Sequence, residues 1–201
     1  MRVTDEETLV VVEEELEKLN ELIVAEITEL GVPAVGLNGK SKKIIQARKK
    51  EARIDLGLVG YIVGVNSEPI LTELKSSKVP VIMPLGKGED KKTYNVNADE
   101  AASFIAASLK AEKLVLLTNV KGIMRNNEDP GSFISTLTIA EANGLIRDNI
   151  IQQGMIPKVN ACVGALEGGV KKTHIIDARI PHALLLEIFT EEGIGTEIVK
   201  G

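Results

Sequence analysis

Apolar residues change their spacing near residue 32, and this change separates two kinds of sequence. Before it, leucine, valine and isoleucine recur every three or four residues as far as Gly31, which is the spacing of one face of an α-helix. Ahead of this run, Thr4-Asp-Glu-Glu7 has the pattern of a capping box with Thr4 as the N-cap. The sequence therefore predicts one long amphipathic helix with an acidic, solvated outer face, which is also a candidate dimer contact.

After residue 32, short apolar runs alternate with helical patterns. The apolar runs predict buried strands at 33–37, 79–84, 114–118 and 174–177. The helical patterns between them lie at 68–76, 98–109, 138–148 and 157–166. Polar or glycine interruptions at 43–48 and 59–65 predict a more exposed β-hairpin. The repeated order of strand, helix and strand indicates an α/β fold in which a mainly parallel sheet carries helices on both faces.

The composition narrows the class of protein. Of 201 residues, 44% are hydrophobic and 26% are charged, which is typical of a globular chain with one substantial core. A net charge of -5 and an aromatic content of 2% argue against nucleic-acid binding, which needs cationic surface and stacking rings. No apolar run has the length of a membrane span or of a signal-peptide core. We therefore expect a soluble protein of the cytoplasm, with a plastid stroma as the alternative, and a buried Cys162.

The segment Tyr94-Asn-Val-Asn-Ala-Asp99 concentrates polar groups at the start of an alanine-rich helix. In an extended chain, Asn95 and Asn97 would point to one side and Val96 to the other, so that two amides could clamp a ligand. Asp99 would fall in the first helical turn, where unpaired N–H groups stabilise a carboxylate. The alternative is that one asparagine merely caps the helix.

Two glycine-containing segments offer further binding groups. The predicted strand 114–118 runs into Asn119-Val-Lys-Gly122, a turn that could cradle a nucleotide, although such turns are common without a ligand. In Gly154-Met-Ile-Pro-Lys158, the glycine frees the backbone and the proline suits a first helical turn. Lys158 would then lie at a helix N-terminus, which favours an accompanying anion; a solvated lysine is the alternative. Together with the 95–99 segment, these groups fit phosphoryl transfer, which relies on positioning and charge neutralisation.

A larger pattern contains these motifs. It consists of the stretches 2–9, 34–40, 59–60, 94–99, 116–122, 154–158 and 174–196. In this combination the chain resembles the acetylglutamate kinases of the amino acid kinase family over nearly its whole length. The resemblance implies a three-layer α/β/α sandwich, with a partial substrate-binding lobe at 1–110 and an ATP-binding lobe at 111–201. The implied reaction transfers the γ-phosphoryl group of ATP, with Mg²⁺, to the side-chain carboxylate of N-acetyl-L-glutamate in arginine biosynthesis.

The resemblance also implies roles for single residues. Arg2 would hold the substrate α-carboxylate, Asn95 would hydrogen-bond the substrate, and Asn97 would support the same pocket. Lys158 would stabilise the transferring phosphoryl group, and Asp99 would hold the catalytic lysines in place. The residues that would face the nucleotide are Thr118, Asn119, Val120, Gly122, Ile123, Met124, Gln152, Gly154 and Met155.

The C-terminal part of the chain resembles that of arginine-inhibited members. His174, Glu187 and Gly193 are therefore candidates for an arginine effector site, with Glu187 as a partner for the guanidinium. The resemblance further implies a homo-oligomer, either a dimer or a hexamer of dimers, and a PII-type regulator as a candidate partner. No metal site is predicted on the protein, because the two histidines lack cysteine partners.

The chain departs from the family pattern in four places. The family's N-terminal glycine-rich segment, which carries a transition-state lysine, has no counterpart ahead of Arg2, so we expect a truncated chain with weak activity. Asn119 replaces an aspartate, Gln153 replaces a glycine whose position could require positive φ, and Ala178 replaces a glycine. The alternatives are a non-catalytic regulatory remnant that binds nucleotide or arginine, and an amino acid kinase for another carboxylate or for carbamate.

Overall fold

The computed structural model describes residues 3–126, 128–190 and 193–201 of the chain. Its residues form two compact units, Met1–Ala101 and Ala102–Gly201. The boundary between them falls inside one helix, Ala98–Leu109. The division of function between lobes 1–110 and 111–201 remains a prediction.

The first unit combines one long helix with two small sheets. Its elements are α1 (Glu6–Glu29), β1 (Ala34–Asn38), a 3₁₀ turn (Ser41–Lys43), β2 (Ile45–Lys49), β3 (Gly60–Val65), α2 (Glu68–Lys75), β4 (Val79–Met83), β5 (Leu85–Lys87), β6 (Thr93–Asn95) and the start of α3 (Ala98–Leu109). Strands β1 and β4 pair in parallel. The second sheet has the order β3, β2, β5, β6, in which β2 and β3 form the predicted antiparallel hairpin.

The N-cap of α1 is Asp5, and the prediction of Thr4 at this position was wrong by one residue. The Asp5 carboxylate accepts a hydrogen bond from the Thr8 N–H at 2.7 Å, and the hydrogen bonds from Thr8 hold the pKa of Asp5 below its usual value. Thr4 is buried, and its N–H donates to the Leu56 carbonyl at 3.0 Å while its own carbonyl accepts from Leu58 at 2.6 Å. Aspartate and threonine are both good caps, so the strand-like pairing of Thr4 decides between them.

Helix α1 packs across the β1–β4 pair, and one polar residue of the helix contacts both strands where the helix crosses them. The buried Asn20 donates from Nδ2 to the Val81 carbonyl of β4 at 2.8 Å. A Cβ at Gly36 of β1 would lie 2.1 Å from Asn20 Oδ1, so this crossing requires a glycine in the strand. Lys40, just after β1, pairs with Glu13 of the helix at 2.5 Å.

The second unit is built around a mixed four-stranded sheet. After the end of α3, its elements are β7 (Lys113–Thr118), β8 (Ile123–Met124), a 3₁₀ turn (Pro130–Ser132), β9 (Phe133–Ile134), β10 (Thr136–Thr138), α4 (Ile139–Arg147), α5 (Met155–Glu167), β11 (Lys172–Asp177), α6 (Ala183–Phe189) and β12 (Thr196–Val199). The sheet order is β10, β12, β11, β7, with β7 parallel to β11 and β10 parallel to β12. Helix α5 contributes much of the core, including Val159, Leu166 and the completely buried Cys162.

The predicted α/β class is confirmed, and parallel pairs occur in both units. Each predicted strand and helix overlaps an observed one, with ends that agree within two residues. The sequence did not reveal the seven-residue helix α6 or the strands β5, β6, β8, β9 and β10, because elements this short show little periodicity. Among the described helices, none combines the length and the apolar composition needed to cross a membrane.

Candidate functional site

A cavity of about 650 Å³ opens in the second unit beyond the carboxyl ends of two parallel strands. Strand β7 ends at Thr118 and β11 ends at Asp177, and these two residues are opposite each other in the sheet. Ligands of open α/β sheets bind at this edge. The cavity is lined by Asn119, Val120, Lys121, Gly122, Ile123, Met124, Ile150, Ile151, Gln152, Gly154, Met155, Lys158 and Arg179.

Two hydroxyl groups shape the turn after β7. Thr118 Oγ1 donates to the Val120 carbonyl at 2.8 Å and accepts from the Val120 N–H at 3.0 Å. Thr196 Oγ1 accepts from the Ile123 N–H at 2.8 Å. Between them, Gly122 has φ of +136°, and a Cβ there would lie 2.6 Å from Thr196 Oγ1. The turn therefore needs glycine both for its backbone conformation and for space.

The start of α5 differs from the sequence prediction. Gly154 has helical angles (φ -65°, ψ -17°), and no atom of the described residues lies within 4 Å of a Cβ placed on it. The expectation that Gly154 frees the backbone was therefore wrong. The left-handed residue is Gln153, with φ of +40°, where the resembled family has glycine. A side chain in this region costs about 1–2 kcal/mol. Lys158 lies in the first turn of α5, as predicted.

Two more cationic side chains line this cavity: Lys121, which belongs to the predicted turn, and Arg179, to which the sequence assigned no role. Asp177 Oδ1 accepts from Arg179 Nε at 2.9 Å, and Asp177 Oδ2 accepts from Arg179 Nη2 at 2.8 Å. Hydrogen bonding to Arg179 lowers the pKa of Asp177 to about 2, with a smaller contribution from the charge of Lys121. The available signal was an acidic and a basic residue directly at the end of a buried strand.

The structure brings most predicted nucleotide-facing residues together. Every one of them except Thr118 lines the cavity, as does Lys158. Thr118 instead holds the turn that lies at the cavity edge. Ile150 and Ile151 add apolar lining that the sequence did not single out, because they lie in an irregular segment between α4 and α5. The binding roles of all these residues remain predictions.

In the first unit, the two asparagines of the predicted amide clamp make hydrogen bonds within the protein. Asn95 ends β6, and its Nδ2 donates to Thr4 Oγ1 at 3.4 Å. Val96 is buried between two half-buried asparagines, as the alternation predicted. Asn97 Oδ1 accepts from the Glu100 N–H at 2.9 Å. Asn97 therefore caps α3, which is the alternative that the sequence left open for one asparagine.

Two further predicted residues belong to this part of the chain. Asp99 lies in the first turn of α3, as expected. Arg2 lies outside the described residues. The roles assigned to Asn95, Asn97, Asp99 and Arg2 remain predictions.

A smaller cavity of about 170 Å³ in the second unit contains the three predicted effector residues. His174 Nδ1 lies 2.6 Å from Glu187 Oε1. Glu187 Oε2 accepts from the N–H groups of Ile194 at 2.7 Å and Gly195 at 3.0 Å. Gly193 has φ of +60°, and a Cβ there would lie 3.0 Å from Glu187 Oε2. Both oxygens of this buried carboxylate are thus engaged inside the protein.

One polar atom of this smaller cavity has no partner within the described part of the chain, and it is His174 Nε2. Glu197 Oε1 lies 4.0 Å from it and pairs with Lys172 at 2.8 Å. When Nδ1 donates to Glu187, Nε2 of a neutral ring is an acceptor. A ligand that brings N–H donors would satisfy this buried nitrogen.

Comparison with known proteins gives matches over the whole chain. The model of the amino acid kinase family matches residues 1–177. The chain is 49% identical to the acetylglutamate kinase of Moorella thermoacetica over 210 residues, covering all of this chain and 71% of that protein. It is 51% identical over 201 residues to the acetylglutamate kinase of Petrotoga mobilis, covering 67% of that protein.

Solved structures show the same relationship at the level of the fold. The N-acetylglutamate synthase of Neisseria gonorrhoeae, complexed with coenzyme A and L-arginine, is 30% identical with a TM-score of 0.85, and all of this chain covers 47% of it. The carbamate kinase of Giardia lamblia bound to AMP-PNP is 15% identical with a TM-score of 0.68, with coverage of 92% and 73%. The chain thus spans about half the length of the synthase and about two thirds or more of the curated kinases.

Proposed function

Because the chain belongs to the amino acid kinase family and, within it, to the acetylglutamate kinases, we propose that it transfers the γ-phosphoryl group of ATP to N-acetyl-L-glutamate. The acceptor is the side-chain carboxylate, and the product enters arginine biosynthesis. The observation that supports this proposal is the cavity at the ends of β7 and β11, where a glycine turn and Lys158 converge. A biosynthetic kinase of this kind is expected in the cytoplasm.

The residues of the cavity suit ATP. Met124, Met155 and Ile151 offer apolar surface for a base, and the turn at Gly122 leaves no room for a side chain. The lysines 121 and 158 would neutralise phosphate charge. No group of three or more His, Cys, Asp or Glu side chains in the described chain is placed to hold a metal. Mg²⁺ would bind together with the nucleotide, through phosphate oxygens and water.

The proposed phosphoryl transfer requires little covalent chemistry from the side chains of the protein. Bound ATP supplies the phosphoryl group, which passes to a carboxylate oxygen of the acceptor as ADP leaves. The acceptor is already ionised, so no general base is required. Lys158 would offset the charge that develops during transfer, and Asn95 would orient the acceptor by hydrogen bonding.

The test traps the acyl phosphate as its hydroxamate. The full chain is assayed with MgATP and N-acetylglutamate, alone and together with the N-terminal segment of a longer relative. Lys158→Ala should lower turnover by about 100-fold or more. Lys171→Ala is the matched control, because Lys171 forms an exposed pair with Glu112 and does not line the cavity.

The outcomes separate the three hypotheses. Product that depends on Lys158 supports the kinase, whether or not the added segment is needed. Higher turnover with aspartate, glutamate or carbamate would move the assignment to another substrate. Absence of product in every mixture would contradict the kinase proposal and favour a regulatory remnant.

We also propose that the smaller cavity binds arginine as an effector. The observation that supports this second function is the buried His174 Nε2 beside Glu197, which has no hydrogen-bond partner among the described residues. A guanidinium with several N–H donors suits this nitrogen. Calorimetry should show binding of arginine and at least tenfold weaker binding of uncharged citrulline. Glu187→Gln should weaken arginine binding, whereas Glu112→Gln on the exposed surface should not. Equal affinity for arginine and citrulline would contradict the proposal.

Assembly is part of the same proposal. Helix α1 exposes Val10, Val11 and Leu22, each more than half exposed, and a second copy of the chain could cover them. We expect a dimer, or a hexamer of dimers, by light scattering, and Val11→Glu should shift it toward a monomer. A PII-type regulator is a further proposed partner, to be tested by co-elution with purified PII.

A further inference from the structure

Arg179 is an exposed residue of the nucleotide cavity that is held by a buried carboxylate. Its side chain is 67% exposed and lines the nucleotide cavity. Its anchor is the opposite: Asp177 is only 4% exposed and lies at the end of β11. Asp177 Oδ1 also accepts from the Arg179 backbone N–H at 3.0 Å. The two residues therefore form a compact clamp in which a buried carboxylate fixes an exposed guanidinium.

The clamp leaves binding capacity on the guanidinium. Of its five N–H donors, Asp177 takes one on Nε and one on Nη2. The donors on Nη1 and the second donor on Nη2 are not used by this pair. A planar guanidinium held along one edge presents its other edge in a fixed geometry, which suits bidentate recognition of phosphate.

The charge of the cavity points to an anion. Its described lining includes three cationic side chains, Lys121, Lys158 and Arg179, and no aspartate or glutamate. A free arginine loses side-chain freedom when it binds a ligand, and this loss opposes binding. Here the ion pair with Asp177 has already restricted the side chain, so less of this cost remains at the moment of binding.

We propose that Arg179 binds a phosphate group of the nucleotide and that Asp177 is the residue that positions it. The ligand class is a nucleoside polyphosphate, since a nucleoside alone offers no anion to the free edge of the guanidinium. This inference rests on the proposed function and deepens it by naming a further binding residue. It also explains a charged pair at a strand end that the kinase proposal otherwise leaves unused.

The experiment measures binding without turnover. Affinities of the full chain for ATP, ADP and adenosine are determined by calorimetry at two salt concentrations. Arg179→Gln should weaken ATP and ADP binding about tenfold or more, reduce its salt dependence, and leave adenosine binding unchanged. Asp177→Asn should also weaken ATP binding, but by less than Arg179→Gln does, because the guanidinium remains while its orientation is lost.

Controls keep the outcomes distinct. Arg147→Gln, in the last turn of α4 and away from the cavity lining, should bind all three ligands like the parent chain. Since Arg179→Gln also removes the ion pair of the buried Asp177, affinities are compared at a temperature below the thermal unfolding midpoint of every variant. Unchanged ATP affinity in Arg179→Gln, or an equal loss for adenosine, would overturn the inference and leave the kinase proposal standing. Failure of the parent chain to bind any nucleotide would overturn both.

Discussion

Tyr94 is one of two tyrosines in a chain without tryptophan, and it is 3% exposed. Its hydroxyl donates to Asp90 Oδ2 at 2.7 Å. Burial, helped by the hydrogen bond and the negative charge of Asp90, raises the pKa of Tyr94 to about 12. The phenol is therefore protonated in the folded protein over a pH range in which an unfolded tyrosine, with a pKa of about 10, already ionises.

This raised pKa predicts a specific loss of stability in alkali. Because the folded state holds the proton more tightly, its contribution to stability is full below about pH 10 and is lost as the pH rises toward 12. Phenolate absorbance should show a late step near pH 12. Tyr94→Phe should abolish this step, whereas Tyr61→Phe, at a 39% exposed site, should retain it. A late step that survives Tyr94→Phe would contradict the assignment.

Gln153 gives a second prediction for a single residue. Its φ of +40° is costly for a residue with a Cβ, and glycine relieves that cost while losing some entropy in the folded state. Gln153→Gly should raise the free energy of unfolding in urea by about 0.5–1 kcal/mol. The neighbouring Gln152→Gly, where φ is not positive, should lower it slightly. Equal effects of the two changes would argue against strain at Gln153.

Single residues also show where the sequence falls short. The glycine that the family has at position 153 correctly indicated a positive φ there. Gly154, by contrast, was expected to need the backbone freedom of glycine, but it has helical angles. Asn97 proved to be a cap because its Oδ1 reaches the Glu100 N–H, a choice that spacing alone leaves open. Arg179 was missed because its importance depends on the cavity it lines, which forms only when β7 and β11 pair.

Among the connections between elements, the turn from β7 to β8 sets the shape of the nucleotide cavity. A Cβ at Gly122 would collide with Thr196 Oγ1 and lie 3.0 Å from the Phe133 ring. Gly122→Ala should therefore destabilise the protein by about 2 kcal/mol and weaken nucleotide binding. Gly154→Ala, at a helical position with open space, should change stability by less than about 0.5 kcal/mol. Urea unfolding and calorimetry measure both effects, and similar losses in the two variants would contradict this account.

The crossing of α1 over β1 and β4 supports a prediction about coupling. Asn20→Ala should cost about 1–2 kcal/mol, because the Val81 carbonyl loses its donor. Gly36→Ala should cost about 2 kcal/mol or more, because its new Cβ meets the Asn20 amide. In the double variant the collision is gone. Its loss of unfolding free energy should therefore be smaller than the sum of the losses in the two single variants.

A matched strand position controls for this cycle. Gly64→Ala in β3 would place a Cβ 3.4 Å from the Gln46 side chain, which is an ordinary contact. Its effect should be small and independent of Asn20→Ala. Simple additivity of Asn20→Ala and Gly36→Ala would show that the two residues do not interact.

For elements, the long periodic segments were predictable and the short ones were not. Helix α3 was predicted with both ends correct, since its apolar spacing spans three turns. The N-cap of α1 shifted by one residue because Thr4 pairs with residues 56–58, more than fifty positions away. Such pairing is decided by tertiary structure, which local spacing does not report.

At the scale of the whole molecule, the proposed binding sites are divided between the two units. The nucleotide cavity and the smaller cavity lie within the second unit, whereas Asn95 and Asp99 belong to the first. Amide hydrogen exchange should therefore slow at 119–124 and 150–158 with ATP, and at α6 and 193–195 with arginine. N-acetylglutamate should slow exchange at 94–100. Protection by ATP confined to the first unit would contradict the location of the nucleotide site.

Cys162 is the only cysteine of the chain, and it lies completely buried in α5, one turn beyond Lys158. A thiol reagent can reach its sulfur only when this helix leaves the core of the second unit. The rate at which the native protein is labelled therefore reports how often α5 opens. Cys162 is thus a natural probe for the separation of α5, the helix that bears the proposed catalytic lysine, from its sheet.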